Sequence, residues 1–392
     1  MQKSLIYLDN NATTPIDKRV LDEMIPFLTT NFANANSTHQ FGVDSHNAVK
    51  KSRKEIAELI GAETNEIIFT SGATESINIA IKGIADSYQN KGKHIITVST
   101  EHSAVLDTCK YLESKGFEIT YLPVKSDGTI SLEKLKETLR DDTILVSVMY
   151  VNNETGVIQP IKQISQLTHS VGAIFMTDAT QAVGKIDIDV DDLGIDLLSM
   201  SGHKIYACKG VGALYIRQRK TRIKIPALLH GGGHERNMRS GTLNVPGIVS
   251  LGKACELARK EMIDNKLSII KLRDYLETEL LKIPDTTING NRDNRLFNVT
   301  NLCFKGADSE AIIMGLSSPD NVELPLIAVS NGSACTSMSI DPSHVLIAMG
   351  LSENEAFNSI RFSIGKENTL EEIKIVINSV STVVSNLRSM SF

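Results

Sequence analysis

Lys204 closes the segment Ser201-Gly202-His203-Lys204, which follows an apolar run over residues 195–200 and precedes Gly210-Val211-Gly212. A lysine amine kept deprotonated by its surroundings forms a Schiff base with a carbonyl compound, which makes Lys204 a candidate aldehyde-binding residue. Upstream, a short apolar pattern over residues 173–177 delivers Asp178 at its end. Open α/β sheets gather ligand groups at the carboxyl ends of strands, and an acid there suits the pyridine nitrogen of pyridoxal phosphate. Ser71-Gly72-Ala73-Thr74-Glu75-Ser76 follows a strand pattern over 66–70 and opens a helical pattern through Ile77, Ile79, Ala80, Ile81 and Ile84. Small residues at such a junction let backbone N–H groups and the positive helix end close on a phosphate. Taken singly, these features are a surface lysine, a turn or cap aspartate and a capped helix start.

Two further side chains add chemistry. His102 follows the strand pattern at 94–99, at the same sheet end as Asp178 and Lys204, where an imidazole can stack on a ring and move protons near neutral pH; the plainer reading is a surface histidine. Cys335 sits among Asn331, Gly332, Ser333, Ala334, Thr336 and Ser337. Small polar neighbours leave little to pin that segment, so its thiol reads as a travelling group on a mobile loop rather than a buried structural cysteine. Cys109 and Cys255 lie in helical patterns and Cys303 in a strand pattern, where inert burial is expected.

In order, the chain carries Ser-Gly-Ala-Thr-Glu-Ser at 71–76, Thr-Glu-His at 100–102, Val-Asn-Asn-Glu at 151–154, Asp-Ala-Thr-Gln at 178–181, Ser-Gly-His-Lys at 201–204 and Gly-Ser-Ala-Cys-Thr-Ser at 332–337. The chain resembles the NifS/IscS group of cysteine desulfurases over nearly its whole length. The resemblance implies the aspartate-aminotransferase-like fold, fold type I of the pyridoxal phosphate enzymes. It implies a large cofactor-binding domain over 16–260, with 1–15 and 261–392 forming a small α/β domain whose loop at about 330–340 carries the catalytic cysteine. Carried over by position, Ala73, Thr74, Ser201, His203 and Thr242 hold the phosphate of pyridoxal 5'-phosphate, Thr242 being offered by a neighbouring subunit. Gln181 meets the phenolic oxygen, Asn153 lies beside the ring and the substrate, Asp178 meets the ring nitrogen, and His102 stacks as acid and base. Lys204 carries the cofactor, Arg361 clamps the substrate carboxylate, and Cys335 takes the sulfur as a persulfide.

The implied reaction converts L-cysteine to L-alanine and hands the Cys335 sulfur to an acceptor protein, for iron-sulfur cluster assembly, tRNA thiolation or DNA phosphorothioation. No metal is expected beyond transient ligation of an iron-sulfur cluster by Cys335. A homodimer is expected. A selenocysteine lyase, another fold type I enzyme and a non-catalytic sulfur-transfer scaffold are the competing readings. Ala207-Cys208 stands where many relatives have Gly-Pro, which sets a second thiol near the cofactor. The stretch 316–326 looks longer than in the housekeeping enzymes. The chain stops soon after its last helix, without the extended tail some relatives use for docking.

These residues need a frame. From 66 to about 216 the apolar runs 67–70, 94–99, 118–123, 143–151, 173–178, 195–200 and 213–216 alternate with helical patterns, which predicts a mostly parallel sheet with helices on both faces. Asp17 is a plausible cap for a helix to about residue 28, and 34–42 reads as a loop. A long helix over 245–281 leads to a C-terminal α/β unit of strands at 296–304, 326–329 and 359–364, a helix at 309–316 and a final helix opened by Thr369-Leu370-Glu371-Glu372. The 392 residues are 41% hydrophobic and 22% charged, ordinary for a soluble protein. A net charge of -5 with a pI near 6.0 gives no nucleic-acid footprint. No run suits a membrane span or signal peptide, and five scattered cysteines fit a reducing compartment. A cytoplasmic protein that contacts neither nucleic acid nor membrane is expected.

Overall fold

Strand β1 (Leu5–Tyr7) stands apart from the next seven, which form one sheet: β2 (Ile67–Thr70), β3 (His94–Val98), β4 (Glu118–Leu122), β5 (Thr143–Ser147), β6 (Ile174–Asp178), β7 (Leu197–Ser201) and β8 (Gly212–Ile216). The computed structural model describes residues 5–219, 221–317, 325–332 and 341–390. The order across the sheet is β2-β8-β7-β6-β5-β3-β4. Strands β3 to β7 pair in parallel, whereas β8 runs antiparallel to both β7 and β2. Every residue of β5, β6 and β7 is buried, because helices cover both faces. Alternation sorts their side chains between two cores. Val146, Phe175, Leu198 and Tyr215 face one way. Leu145, Met176, Leu197 and Leu214 face the other, against Ile77, Ile81 and Ile84 of the helix Ala73–Tyr88.

The sheet order accounts for the site's location. Parallel strands all end on one edge, so the residues that follow β3, β6 and β7 meet there. The last three strands, β10 (Val299–Phe304), β11 (Leu326–Ala328) and β12 (Ser359–Ser363), belong with β9 (Thr286–Ile288) and β1 to two smaller sheets, β12-β10-β9 and β1-β11. The helix Val245–Leu280 spans both regions, packing on the helix Gln40–Ile60 and on the final helix Leu370–Met390. Gly252 permits the first contact, since a Cβ there would stand 2.5 Å from Ser52 Cα. Thr369 and Glu372 cap the final helix reciprocally, Thr369 N–H donating to Glu372 Oε2 and Glu372 N–H to Thr369 Oγ1.

Two local readings need correction. The helix after Asp17 is two short helices, Lys18–Met24 and Pro26–Thr29, because Pro26 lacks the N–H that a continuous helix would use. The loop expected to reach 42 ends at His39, whose Nδ1 accepts from Gly42 N–H and caps the helix Gln40–Ile60.

Candidate active site

A cavity of about 530 Å³ opens at the carboxyl edge of the large sheet. Ala73, Thr74, His102, Asn153, Asp178, Gln181, Ser201, His203, Lys204 and Arg361 all line it, although they come from segments nearly three hundred residues apart. Thr242 does not line it and is exposed. Cys335 lies outside the described residues, but Gly332 belongs to the cavity wall.

Asp178 is the last residue of β6 and is 5% exposed. Its Oδ1 accepts from Ser199 Oγ at 2.9 Å, from Thr180 N–H at 3.0 Å and from Thr180 Oγ1 at 2.5 Å. Three donors on one oxygen lock the carboxylate and leave Oδ2, which receives no hydrogen bond among the described residues, for a protonated ring nitrogen.

The helix Ala73–Tyr88 points its N-terminus at the cavity, and no side chain caps Gly72. Its first backbone N–H groups are therefore free for a phosphate. Strand β8 crowds this cup. A Cβ on Gly212 would stand 2.5 Å from Met200 O and 2.6 Å from Gly72 Cα, so only glycine fits. Glu75, in the first turn, also lines the cavity, but its carboxylate is engaged. It accepts from Ser71 N–H at 2.6 Å and pairs with Arg239, whose Nε donates to Oε1 at 2.8 Å.

His203 and Lys204 follow β7 in a single 3-10 turn, Gly202–Lys204. Burial, reinforced by Lys204, Lys209 and Lys185, pulls the His203 imidazole down to about 4. The ring is neutral at physiological pH, and its Nδ1 lies 3.1 Å from Thr13 Oγ1. Lys204 Nζ donates to the carbonyls of Asn11 at 2.6 Å and Ala12 at 2.7 Å. His102 caps the helix Ser103–Glu113, its Nδ1 accepting from Ala104 N–H at 3.1 Å. That bond puts the ring proton on Nε2 in the neutral form.

Arg361 projects from β12 and is 2% exposed. It donates to Asp9 Oδ1 at 2.6 Å and to Asn153 O at 3.1 Å. Asn152 shapes the turn that presents Asn153, since its Oδ1 accepts from Glu154 N–H and Thr155 N–H. A guanidinium so anchored is oriented for a carboxylate.

The loop after β1 supplies site contacts to which spacing alone assigns no chemistry. Asn11, Ala12 and Thr13 line the cavity, and Thr14 Oγ1 ties the loop to the lysine turn, donating to His203 O and accepting from Tyr206 N–H. The polar composition of 9–15 signalled a turn, but nothing in its spacing signalled contact with residues two hundred positions away. Lys209 also lines the wall, whereas its neighbour Cys208 does not and instead meets Ser250 Oγ at 3.0 Å. Cys109, Cys255 and Cys303 are buried free thiols, and burial pushes the Cys109 thiol up to about 12 and raises the other two. Among the described residues no cluster suits a metal ion, and no helix is long and apolar enough to cross a membrane.

A locked carboxylate, an open helix N-terminus between small residues, a neutral histidine and an inward lysine fit pyridoxal phosphate. The aminotransferase class-V family model matches residues 6–376, and the chain belongs to that family of pyridoxal phosphate enzymes. Within it the chain falls among the cysteine desulfurases of the NifS/IscS group. The cysteine desulfurase IscS of Haemophilus influenzae (strain PittGG) is 51% identical over 389 residues, covering 98% of this chain and 94% of that one. A solved NifS-like protein superposes with a TM-score of 0.90 at 38% identity, covering 97% of this chain and 99% of its own. SspA in complex with cysteine superposes with a TM-score of 0.80 at 40% identity, covering 93% and 100%.

Proposed function

We propose that this chain takes sulfur from L-cysteine, releases L-alanine and keeps the sulfur as a persulfide on Cys335. The observation that carries this reading is the convergence of Lys204, Asp178, His102 and Arg361 on one cavity whose wall includes Gly332, three residues before Cys335 in sequence. The cofactor, when bound, supplies an electron sink for the charge left as the substrate Cα loses its proton. Asp178 holds the proton on the ring nitrogen. Gln181 donates to the ring oxygen; the N-terminal groups of Ala73 and Thr74, with Ser201 and His203, hold the phosphate, and Thr242 of the partner subunit joins them. Arg361 and Asn153 fix the substrate carboxylate, which aims the Cα proton at the Lys204 amine. His102 stacks and exchanges protons through Nε2.

The Cys335 thiolate attacks the substrate sulfur. A sulfur–sulfur bond forms as the carbon–sulfur bond breaks, and the electron pair of the broken bond goes to the substrate carbon. That carbon takes a proton and becomes the methyl group of alanine, so the enzyme thiol is oxidised as the substrate carbon is reduced. The persulfide is a reversible carrier state suited to delivery to an acceptor protein.

The active form is a homodimer, since Thr242 is exposed in the single chain and the segment from Leu28 to Val43 exposes Leu28, Phe32, Phe41 and Val43. Residues 16–260 form the cofactor domain, and 1–15 with 261–392 the smaller one. Free thiols and an acidic balance suit the cytoplasm.

The test is alanine formation from L-cysteine by the native protein and by Cys335→Ala, both with a thiol reductant. Multiple turnovers by the native protein, lost in the variant, are expected. Equal release by both would remove Cys335 from the reaction and favour a lyase; release by neither would favour a scaffold.

A further inference from the structure

Lys185 is the second lysine of this region, and the proposed reaction leaves it without a task. It is 9% exposed, and its Nζ donates to Gln181 Oε1 at 2.7 Å. The turn after β6 creates the pair, with Val183 N–H donating to Ala179 O and Ile186 N–H to Ala182 O, so that residues four apart stack. Gln181 is also buried, and its Nε2 donates to Asn11 O at 2.8 Å. The two ends of an amide are nearly the same shape, so its partners decide which end faces where. An amine offers N–H donors whether or not it is protonated, and so it draws Oε1 to its own side. The second N–H of Nε2 is left for the cavity that Gln181 lines. Lys185 also borders a cavity of about 40 Å³ with Lys204 and Tyr206. That space is large enough for a water, whose oxygen would accept from the amine's remaining N–H groups.

Lys185 stands in costly surroundings. Burial first, then the like charges of Lys204 and Arg361, pull its amine down to about 7. A methionine would fill the same space without that penalty, so the amine is held for what it donates.

We propose that Lys185 is a positioning residue that fixes the Gln181 amide with Nε2 toward the cofactor's ring oxygen, and thereby weakens that oxygen's hold on the proton it shares with the Lys204 linkage. The inference rests on the reading of Gln181 as the donor to that oxygen. Without Lys185 the buried Oε1 loses its donor and the amide loses its single orientation.

The experiment is a pH titration of the bound cofactor's visible absorption in the holoenzyme, comparing native protein, Lys185→Met, Gln181→Leu and the double variant. A weaker donor leaves the ring oxygen more basic, so each single variant moves the midpoint upward, by about one pH unit. The double variant matches Gln181→Leu, because Lys185 acts only through the amide. An unmoved midpoint in Lys185→Met, with Gln181→Leu shifted, overturns the proposal and leaves the reading of Gln181 intact. An additive double variant also overturns it, making Lys185 a charge acting on its own. An unmoved midpoint in Gln181→Leu overturns both. Should Lys185→Met fail to hold cofactor, Lys185→Gln replaces it, keeping a polar group beside the water-sized cavity while being too short to restore the contact.

Discussion

Gln181 and Lys204 donate to the same acceptor, the backbone carbonyl of Asn11, at 2.8 and 2.6 Å. The loop after β1 thus acts as a template that holds two cavity-lining side chains in register. Thr14 keeps that template in place. It is 3% exposed, and its hydroxyl donates to His203 O at 3.0 Å and accepts from Tyr206 N–H at 2.8 Å. Thr14→Val keeps the shape and leaves the Tyr206 N–H without its acceptor, while His203 O keeps the Thr14 N–H; the lost acceptor costs about 1–3 kcal/mol. The expected outcome is a lower thermal midpoint together with a loss of pyridoxal phosphate affinity on the order of tenfold, read by fluorescence titration of the apo-protein. A lower midpoint with unchanged affinity would mean that the loop supports the fold and not the site.

How much of this site the sequence discloses depends on the kind of group involved. Asp178 and Ser201 are legible because each ends an apolar run, and Lys204 because it follows one by a single short turn; strand ends are where a parallel sheet exposes its ligands. The Asn11 carbonyl is not legible, because every residue type carries one. Gln181 and Lys185 have a visible spacing of four, but their burial depends on packing that no local pattern encodes. The direction of β8 is likewise silent, since its continuous apolar run suits either direction between β2 and β7. The motif Val151-Asn152-Asn153-Glu154 singled out Asn153, which lines the cavity, while the turn-forming task of Asn152 emerged only from its hydrogen bonds.

His203 gives the apo-protein an acid-sensitive term. Its folded value of about 4 lies below the ordinary 6.5, so the unfolded chain binds more protons between those values. Stability is then lost as pH falls through that window. His203→Gln removes the titration. Urea unfolding of apo-proteins should show the native chain losing more stability than the variant between about pH 7 and about pH 5. Saturating cofactor should shrink the difference, because a bound phosphate favours the imidazolium. A difference that stays constant across the window would show that the imidazole titrates normally.

Glu101 works in the opposite sense. Its side chain is wholly buried, Oε1 accepts from Met149 N–H at 2.5 Å, and Oε2 has no partner among the described residues. Burial above all, and the nearby Asp178, hold this carboxyl well above the usual carboxylate range, only partly offset by the Met149 N–H. The folded state therefore binds the extra proton, and stability is lost as pH rises through the raised value. Glu101→Gln has the shape of the neutral acid and no charge to bury. The variant should gain stability relative to the native chain as urea unfolding is moved from about pH 5.5 to about pH 8.5. A gap independent of pH would place an ionised carboxylate in the native core.

Gly332 and Ser343 flank the segment that contains Cys335, and both meet Glu154. Ser343 Oγ donates to Glu154 Oε2 at 2.5 Å, and a Cβ on Gly332 would fall inside van der Waals contact with that same oxygen. Gly332 also has φ +88°, a conformation unfavourable for any side chain. Gly332→Ala would carry about 1–3 kcal/mol of backbone strain and push the Glu154 carboxylate off Ser343. Alanine release should fall on the order of tenfold to a hundredfold, because small misplacements of a reacting group are costly. Cofactor absorbance should stay unchanged, since neither residue is proposed to touch the cofactor. Ser343→Ala, which removes the hydrogen bond without the strain, should fall between the two. Equal turnover in all three proteins would separate Glu154 from the placement of the thiol and leave it a purely structural carboxylate.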